Sequence, residues 1–258
     1  TPDATREDIM AFLDALVEDF ADEWVTKAMF HHRWTGAADI AKASRILPRW
    51  AGAQQSDERL EKAGRQFAER QIGRLAVVGS SPETAAVIER SFVRLIDLLE
   101  RHLRDHRFLL GSRPGTADFG LFGQLTQLAL FDPTPMAIVL ERAPRVFAWT
   151  DCVDDLSGLE PRAGDWLDRD ALPETFRALL VEIGRGYAPF LLANAEALAQ
   201  GRASVTCTID GSTWRQTPFP YQAKCLEALR TAYRALSASD RAAVDRALAG
   251  TGCEALFA

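Results

Sequence analysis

The stretch Phe108-Leu-Leu-Gly-Ser-Arg-Pro-Gly-Thr-Ala-Asp118-Phe-Gly-Leu-Phe122 decides the fold. With Gly115 opening a helix, Asp118 takes the third helical position. Its carboxylate then reaches back to the main-chain N–H of Gly115 and sits at the positive end of the helix dipole. Gly115 and Asp118 are accordingly read as a structural N-capping pair, and Asp118 as a folding residue.

Helical signals extend to both sides of this motif. Ile9, Phe12, Leu13, Leu16, Phe20 and Trp24 recur at steps of three and four, which predicts a long helix over residues 5–31. The same stripe continues to Lys27 and His31, so polar groups extend the buried face at one end. A helix over 37–47 is expected to stop before Pro48, because a residue preceding proline is pushed out of the helical region. Another covers 57–78. Ser81 and Pro82 form a start signal for a helix that ends near His106 and buries Ile88, Phe92, Leu95 and Leu99. Two short helices follow Asp132, the second opening at Pro144.

Residues 158–172 lapse into a loop rich in Gly, Pro and Asp, the best internal boundary. A helix over 173–200 is expected to be interrupted at Gly184, Gly186 and Pro189, with a kink where Pro189 removes a main-chain bond. Alternation over 205–216 around Asp210-Gly211 reads as a hairpin. Two closing helices, 220–236 and 240–248, are separated by a Ser-Ala-Ser cap.

Composition agrees with a mainly helical chain: of 258 residues, 41 are Ala and 26 Arg, both strong helix formers. The length fits one large domain or one with a substantial extension. With 30 basic and 36 acidic side chains the net charge is -6, which argues against a nucleic-acid surface. No apolar run approaches the roughly 20 residues that span a bilayer. Cys152, Cys207, Cys225 and Cys253 show no paired spacing and read as reduced thiols of a cytoplasmic protein.

The leucine-glycine pair, the proline and the Ala-Asp-Phe run of the opening stretch resemble the N-capping motif of the helical C-terminal domain of glutathione S-transferases. Glu18-Asp-Phe-Ala-Asp-Glu-Trp24, Phe30-His-His-Arg-Trp34 and Ala143-Pro-Arg-Val-Phe-Ala-Trp149 resemble bacterial members of that family, extending the resemblance over residues 1 to about 157. Trp214-Arg-Gln-Thr-Pro-Phe-Pro-Tyr-Gln222 resembles the tail of one bacterial subgroup. The implied fold is all-α: a glutathione S-transferase C-terminal-type helical bundle over 1–157, then a helical C-terminal extension over 158–258 with one small β-hairpin near 205–216. The family usually has Ser or Thr where this chain has Gly115, a change that costs only a few tenths of a kcal/mol at a cap.

The resemblance implies glutathione as cosubstrate, bound mainly by an N-terminal thioredoxin-like domain. The 258 residues show no βαβ pattern and no N-terminal Tyr, Ser or Cys to activate a thiol. The chain, opening Thr-Pro-Asp, therefore reads as the substrate side of a longer enzyme. Its partner is the thioredoxin-like domain, a homodimer is a further expected arrangement, and no catalytic residue or cofactor is assigned to the chain itself. The resemblance places the first helix against that partner, so Phe20, Trp24, Lys27, His31, His32 and Arg33 are the candidate substrate-binding residues, with Tyr221 from the tail. Aromatic faces beside a few cations suit an apolar electrophile conjugated to an anionic tripeptide.

Metal and nucleophile readings are weaker. His31 and His32 point about 100° apart on a helix, and His102 and His106 lie at a helix C-terminus, where imidazolium suits the dipole. Cys225 falls on an apolar stripe with Leu229 and Tyr233. The alternative function is a non-catalytic helical interaction or small-molecule-binding module. It predicts that the chain's own tail covers the first helix, with the segment from Trp214 to Tyr221 folded over Trp24 and His31.

Overall fold

The computed structural model describes residues 8–258. The stripe from Ile9 to His31 forms α1 (Asp8–Phe20) and α2 (Thr26–Thr35), joined without a break by one wide π-type turn at Ala21–Val25. The expected start at residue 5 lies outside the described residues. Such turns insert one residue into a helix and re-aim the side chains beyond it.

The next two helices, α3 (Ala37–Gly52) and α4 (Asp57–Ile72), correct the expected stop at Pro48, which lies inside α3. Pro48 leaves the carbonyl of Ser44 without its usual N–H partner. α4 presents Gly64 to that carbonyl so closely that a Cβ on Gly64 would lie 2.1 Å from Ser44 O. α3 thus packs against a glycine where its proline opens the main-chain ladder, and the helix continues past it. The expected helix to residue 78 ends at Ile72, with a short 3-10 turn at Leu75–Val78.

α5 (Ala85–His102) begins three residues later than the Ser81-Pro82 signal implied. Thr84 takes the capping position: its Oγ1 accepts from the Ser81 N–H and donates to the Gly79 carbonyl. Helices α6 (Thr116–Leu125), α7 (Pro133–Arg142) and α8 (Pro144–Val153) follow as expected. α9 (Glu174–Ala199) runs unbroken through Gly184, Gly186 and Pro189, which corrects the expected interruption. Its glycines permit close approach: a Cβ on Gly184 would meet Thr251 O at 2.0 Å, and one on Gly186 would touch the Trp24 ring.

Strands β1 (Val205–Ile209) and β2 (Ser212–Gln216) pair antiparallel, turning at Asp210 and Gly211, both with positive φ. α10 (Pro220–Ala235) and α11 (Ala238–Leu248) close the chain, the latter capped by Ser237 accepting from the Asp240 N–H. The fold is all-α with one small hairpin. One hydrophobic core joins Leu13, Phe20 and Trp24 to Phe176, Tyr187, Phe190 and Trp214. The boundary expected near residue 158 falls between α8 and α9, and side chains on both sides of it share that core. No helix among the described residues is long and apolar enough to cross a membrane.

Candidate functional site

The α6 terminus is built as the sequence implied, with one addition. Asp118 accepts from the Gly115 N–H at 2.9 Å and from the Leu109 N–H at 3.0 Å. Gly115 has no side chain to complete the reciprocal box, and Asp14 of α1 supplies the missing acceptor. Its carboxylate takes the Thr116 N–H, the Thr116 hydroxyl and the Ala117 N–H. Burial, with Asp14 nearby, pushes the Asp118 carboxyl up to about 7 against its two main-chain hydrogen bonds.

Asp39 of α3 does the same for α7, accepting from the Thr134 N–H at 2.8 Å and the Thr134 hydroxyl at 2.5 Å. Asp132, at the start of α7, is thereby free to hold Arg33: the guanidinium donates Nε to both carboxylate oxygens at 3.1 Å and a terminal nitrogen at 2.9 Å. Arg33 also donates to Gln127 Oε1. It is a structural clamp between α2 and the α6–α7 corner.

The remaining expected site residues separate into two groups. Phe20, Trp24 and Lys27 belong to the interior. Phe20 is fully buried beside Tyr187, and Trp24 Nε1 donates to Ser91 Oγ at 2.8 Å while its ring lies 5.2 Å from that of Trp214. Lys27 is 2% exposed among the rings of Trp24, Phe190 and Trp214. Its ammonium donates to the Val78 carbonyl at 3.2 Å and to Gln216 Oε1 at 3.3 Å. Burial lowers its pKa to about 7.

His31 and His32 stand at the second place. His31 Nδ1 lies 2.8 Å from Ser80 Oγ and its Nε2 3.3 Å from Glu89 Oε1. His32 borders a cavity of about 690 Å³ between the end of α2, the start of α3, α5 and α7. Val93, Ile138 and the Thr35–Gly36 corner give it apolar walls, and Glu89, Arg90 and Arg94 stand on one side. His32 Nε2 is buried with no hydrogen-bond partner. Burial first, then the neighbouring His31, lowers the His32 pKa to about 4, so the ring is neutral at physiological pH. A neutral imidazole beside a mostly apolar cavity provides one polar contact for an otherwise apolar ligand.

Tyr221 is apart from both groups: it is 57% exposed at the start of α10, paired with Phe219. Of the segment expected to fold over Trp24 and His31, Trp214 and Gln216 do so at Trp24 and Lys27, while Tyr221 does not. The sequence reading missed Asp14, Asp39 and the cavity walls from α5 and α7. A glycine at a helix start without a polar side chain is a signal that an acceptor must come from elsewhere. His102, by contrast, has both ring nitrogens occupied, by Thr175 Oγ1 and the Phe108 carbonyl.

Residues 53–152 match the family described as Glutathione S-transferase, C-terminal domain. No curated protein and no solved structure matches the chain. The matched residues hold α4 to α8 and the Asp118 cap, whereas Phe20, Trp24, Lys27, His31, His32, Arg33 and Tyr221 lie outside them. Over residues 53–152, which hold the capped α6, the chain is thus similar to the helical C-terminal domain of glutathione S-transferases.

Proposed function

We propose that this chain is the substrate-side helical domain of a glutathione S-transferase-like protein, and that the cavity beside His32 takes the apolar electrophile. The family match over residues 53–152 carries this reading. Domains of this family pair with a thioredoxin-like domain that binds glutathione, so the thiolate-activating group belongs to that partner. The whole protein would join the glutathione sulfur to the electrophile. In this chain, Val93 and Ile138 supply apolar contact and His32 one neutral polar contact.

Titration with 2,4-dinitrotoluene, an apolar nitroaromatic without a leaving group, tests the site. The expected result is a shift of the His32 ring resonances, with binding weakened in Val93→Trp, which narrows the cavity. Unchanged binding in Val93→Trp, or no response at His32, contradicts the assignment.

A second reading, a helical interaction or small-molecule-binding module, is supported by the cover over the π-type turn and the start of α2. Trp214 and Gln216 seal Trp24 and Lys27, the face expected to meet a partner domain. Tight retention of this chain alone on immobilised glutathione would contradict the first reading, which leaves the tripeptide site to the partner domain.

A further inference from the structure

On the outer side of α5, between α9 and the end of α7, lies a second cleft of about 630 Å³. Leu98, Ala178 and Val181 give it an apolar floor. Five arginines, Arg94, Arg101, Arg104, Arg142 and Arg185, line it against three carboxylates, Asp97, Glu100 and Glu182. The lining is thus cationic on a chain whose net charge is -6.

The carboxylates are already engaged. Asp97 holds Arg142 through two hydrogen bonds, at 3.2 and 2.7 Å. Glu100 is taken by Arg145, from outside the cleft, at 2.5 Å. Glu182 holds Arg94 at 2.8 Å through both its oxygens. Among the described residues, Arg101 and Arg104 then have no carboxylate within ion-pair distance, and Arg101 reaches only the Asp97 carbonyl at 3.4 Å. Arg185 has one long contact, 3.7 Å to Glu182.

These incompletely paired cations stand at opposite ends. Arg94 bonds Glu182 and His102 bonds Thr175, so α5 and α9 run antiparallel. Arg101 and Arg104 therefore lie near residues 175–178, while Arg185 lies near Arg94. Seven residues of helix separate Arg94 from Arg101, about 10 Å at 1.5 Å per residue. The apolar floor lies between.

The geometry points to a binding site for an organic dianion, with an acid at each end of an apolar body roughly 10 Å long. Guanidinium groups recognise carboxylates in a fork geometry, and the floor repays burial of a hydrocarbon chain. The carboxylates that hold Arg94 and Arg142 keep the cleft walls fixed before any ligand arrives. The site is separate from the cavity at His32, although Arg94 borders both.

Nonanedioate is the test ligand, titrated calorimetrically and by the Nε–Hε resonances of the arginines. Nonane-1,9-diol carries the body without charge, and sulfate carries charge without the body. The expected result is nonanedioate binding that weakens with added salt, with shifts at Arg101, Arg104 and Arg185. Affinity should fall at least tenfold both in the double variant Arg101→Gln/Arg104→Gln and in Arg185→Gln, with unchanged circular dichroism. Sulfate or the diol binding as tightly as nonanedioate overturns the proposal, as does unchanged affinity in either variant or no binding at all. The two control ligands keep the test decisive on the unaltered protein should a variant misfold.

Discussion

The carboxylate of Asp14 occupies the place of a side chain on Gly115: a Cβ there would lie 2.3 Å from Asp14 Oδ1. The two positions are alternative solutions to one problem, the unpaired N–H groups at the start of α6. Gly115→Ser, which restores the side chain usual in the family, should therefore destabilise the chain by about 1–3 kcal/mol through crowding. Asp14→Ala leaves the Thr116 and Ala117 amides unpaired and should cost a similar ~1–3 kcal/mol. The double variant should be less destabilised than the sum, since the serine then has both room and work. Urea unfolding of the four proteins measures this, and strict additivity would show that the sites are independent.

Gly64 and Gly123 make an opposed pair. Gly64→Ala drives a methyl into the Ser44 carbonyl, main chain that cannot rotate away, and should cost about 1–3 kcal/mol. Gly123 lies within α6 with nothing within 4 Å of a Cβ, so Gly123→Ala should stabilise by roughly 0.5–1 kcal/mol. Thermal melts separate the two by sign alone.

The helices were legible where their signals are local. The stripe from Ile9 to Trp24, the Pro144 start and the Asp210-Gly211 turn each depend on a few neighbouring residues. Pro48 and Gly184 were misleading because their roles are set by partners distant in sequence: Ser44 against Gly64, and Gly184 against Thr251. The candidate site was legible only in part. The continuation of the apolar stripe into Lys27 and His31 correctly marked polar groups entering a buried face. It gave no sign that the π-type turn at Ala21–Val25 would leave Lys27 in an aromatic enclosure while His32 borders a cavity. Asp39 and Ile138 meet there only through tertiary packing.

Trp214 is the centre of the cover over the π-type turn at Ala21–Val25. It is fully buried, within 5.2 Å of the Trp24 ring and 6.1 Å of the Phe190 ring, and its indole N–H donates to Gln216 Oε1. Trp214→Ala should cost about 3–5 kcal/mol. If the hairpin serves only as a cover, protease sensitivity should rise first around residues 200–220, with α5 to α8 still protected from hydrogen exchange. Uniform loss of protection would make the hairpin an integral part of the core.

Lys27 gives a pH dependence whose sign follows from its burial. Burial sets its folded pKa at about 7, below the ordinary lysine value of 10.5. Between these values the unfolded chain binds a proton that the folded chain does not, so stability from this group rises as pH increases through that window. Below about 7 the full penalty of burying the ammonium is present. Lys27→Met removes the titration, leaves the Val78 carbonyl without its donor and leaves Gln216 Oε1 with the Trp214 N–H alone, a loss that is the same at every pH. The variant's stability relative to the parent should therefore be highest near pH 6 and should decline by about pH 9, whatever its absolute value. Taking the difference between the two proteins cancels the half-buried thiol of Cys225 and the buried thiol of Cys253, whose raised pKa values near 12 act in the opposite direction. Chemical unfolding at three pH values measures the trend, and a difference that is flat or rises with pH would mean that Lys27 stays charged in the folded protein.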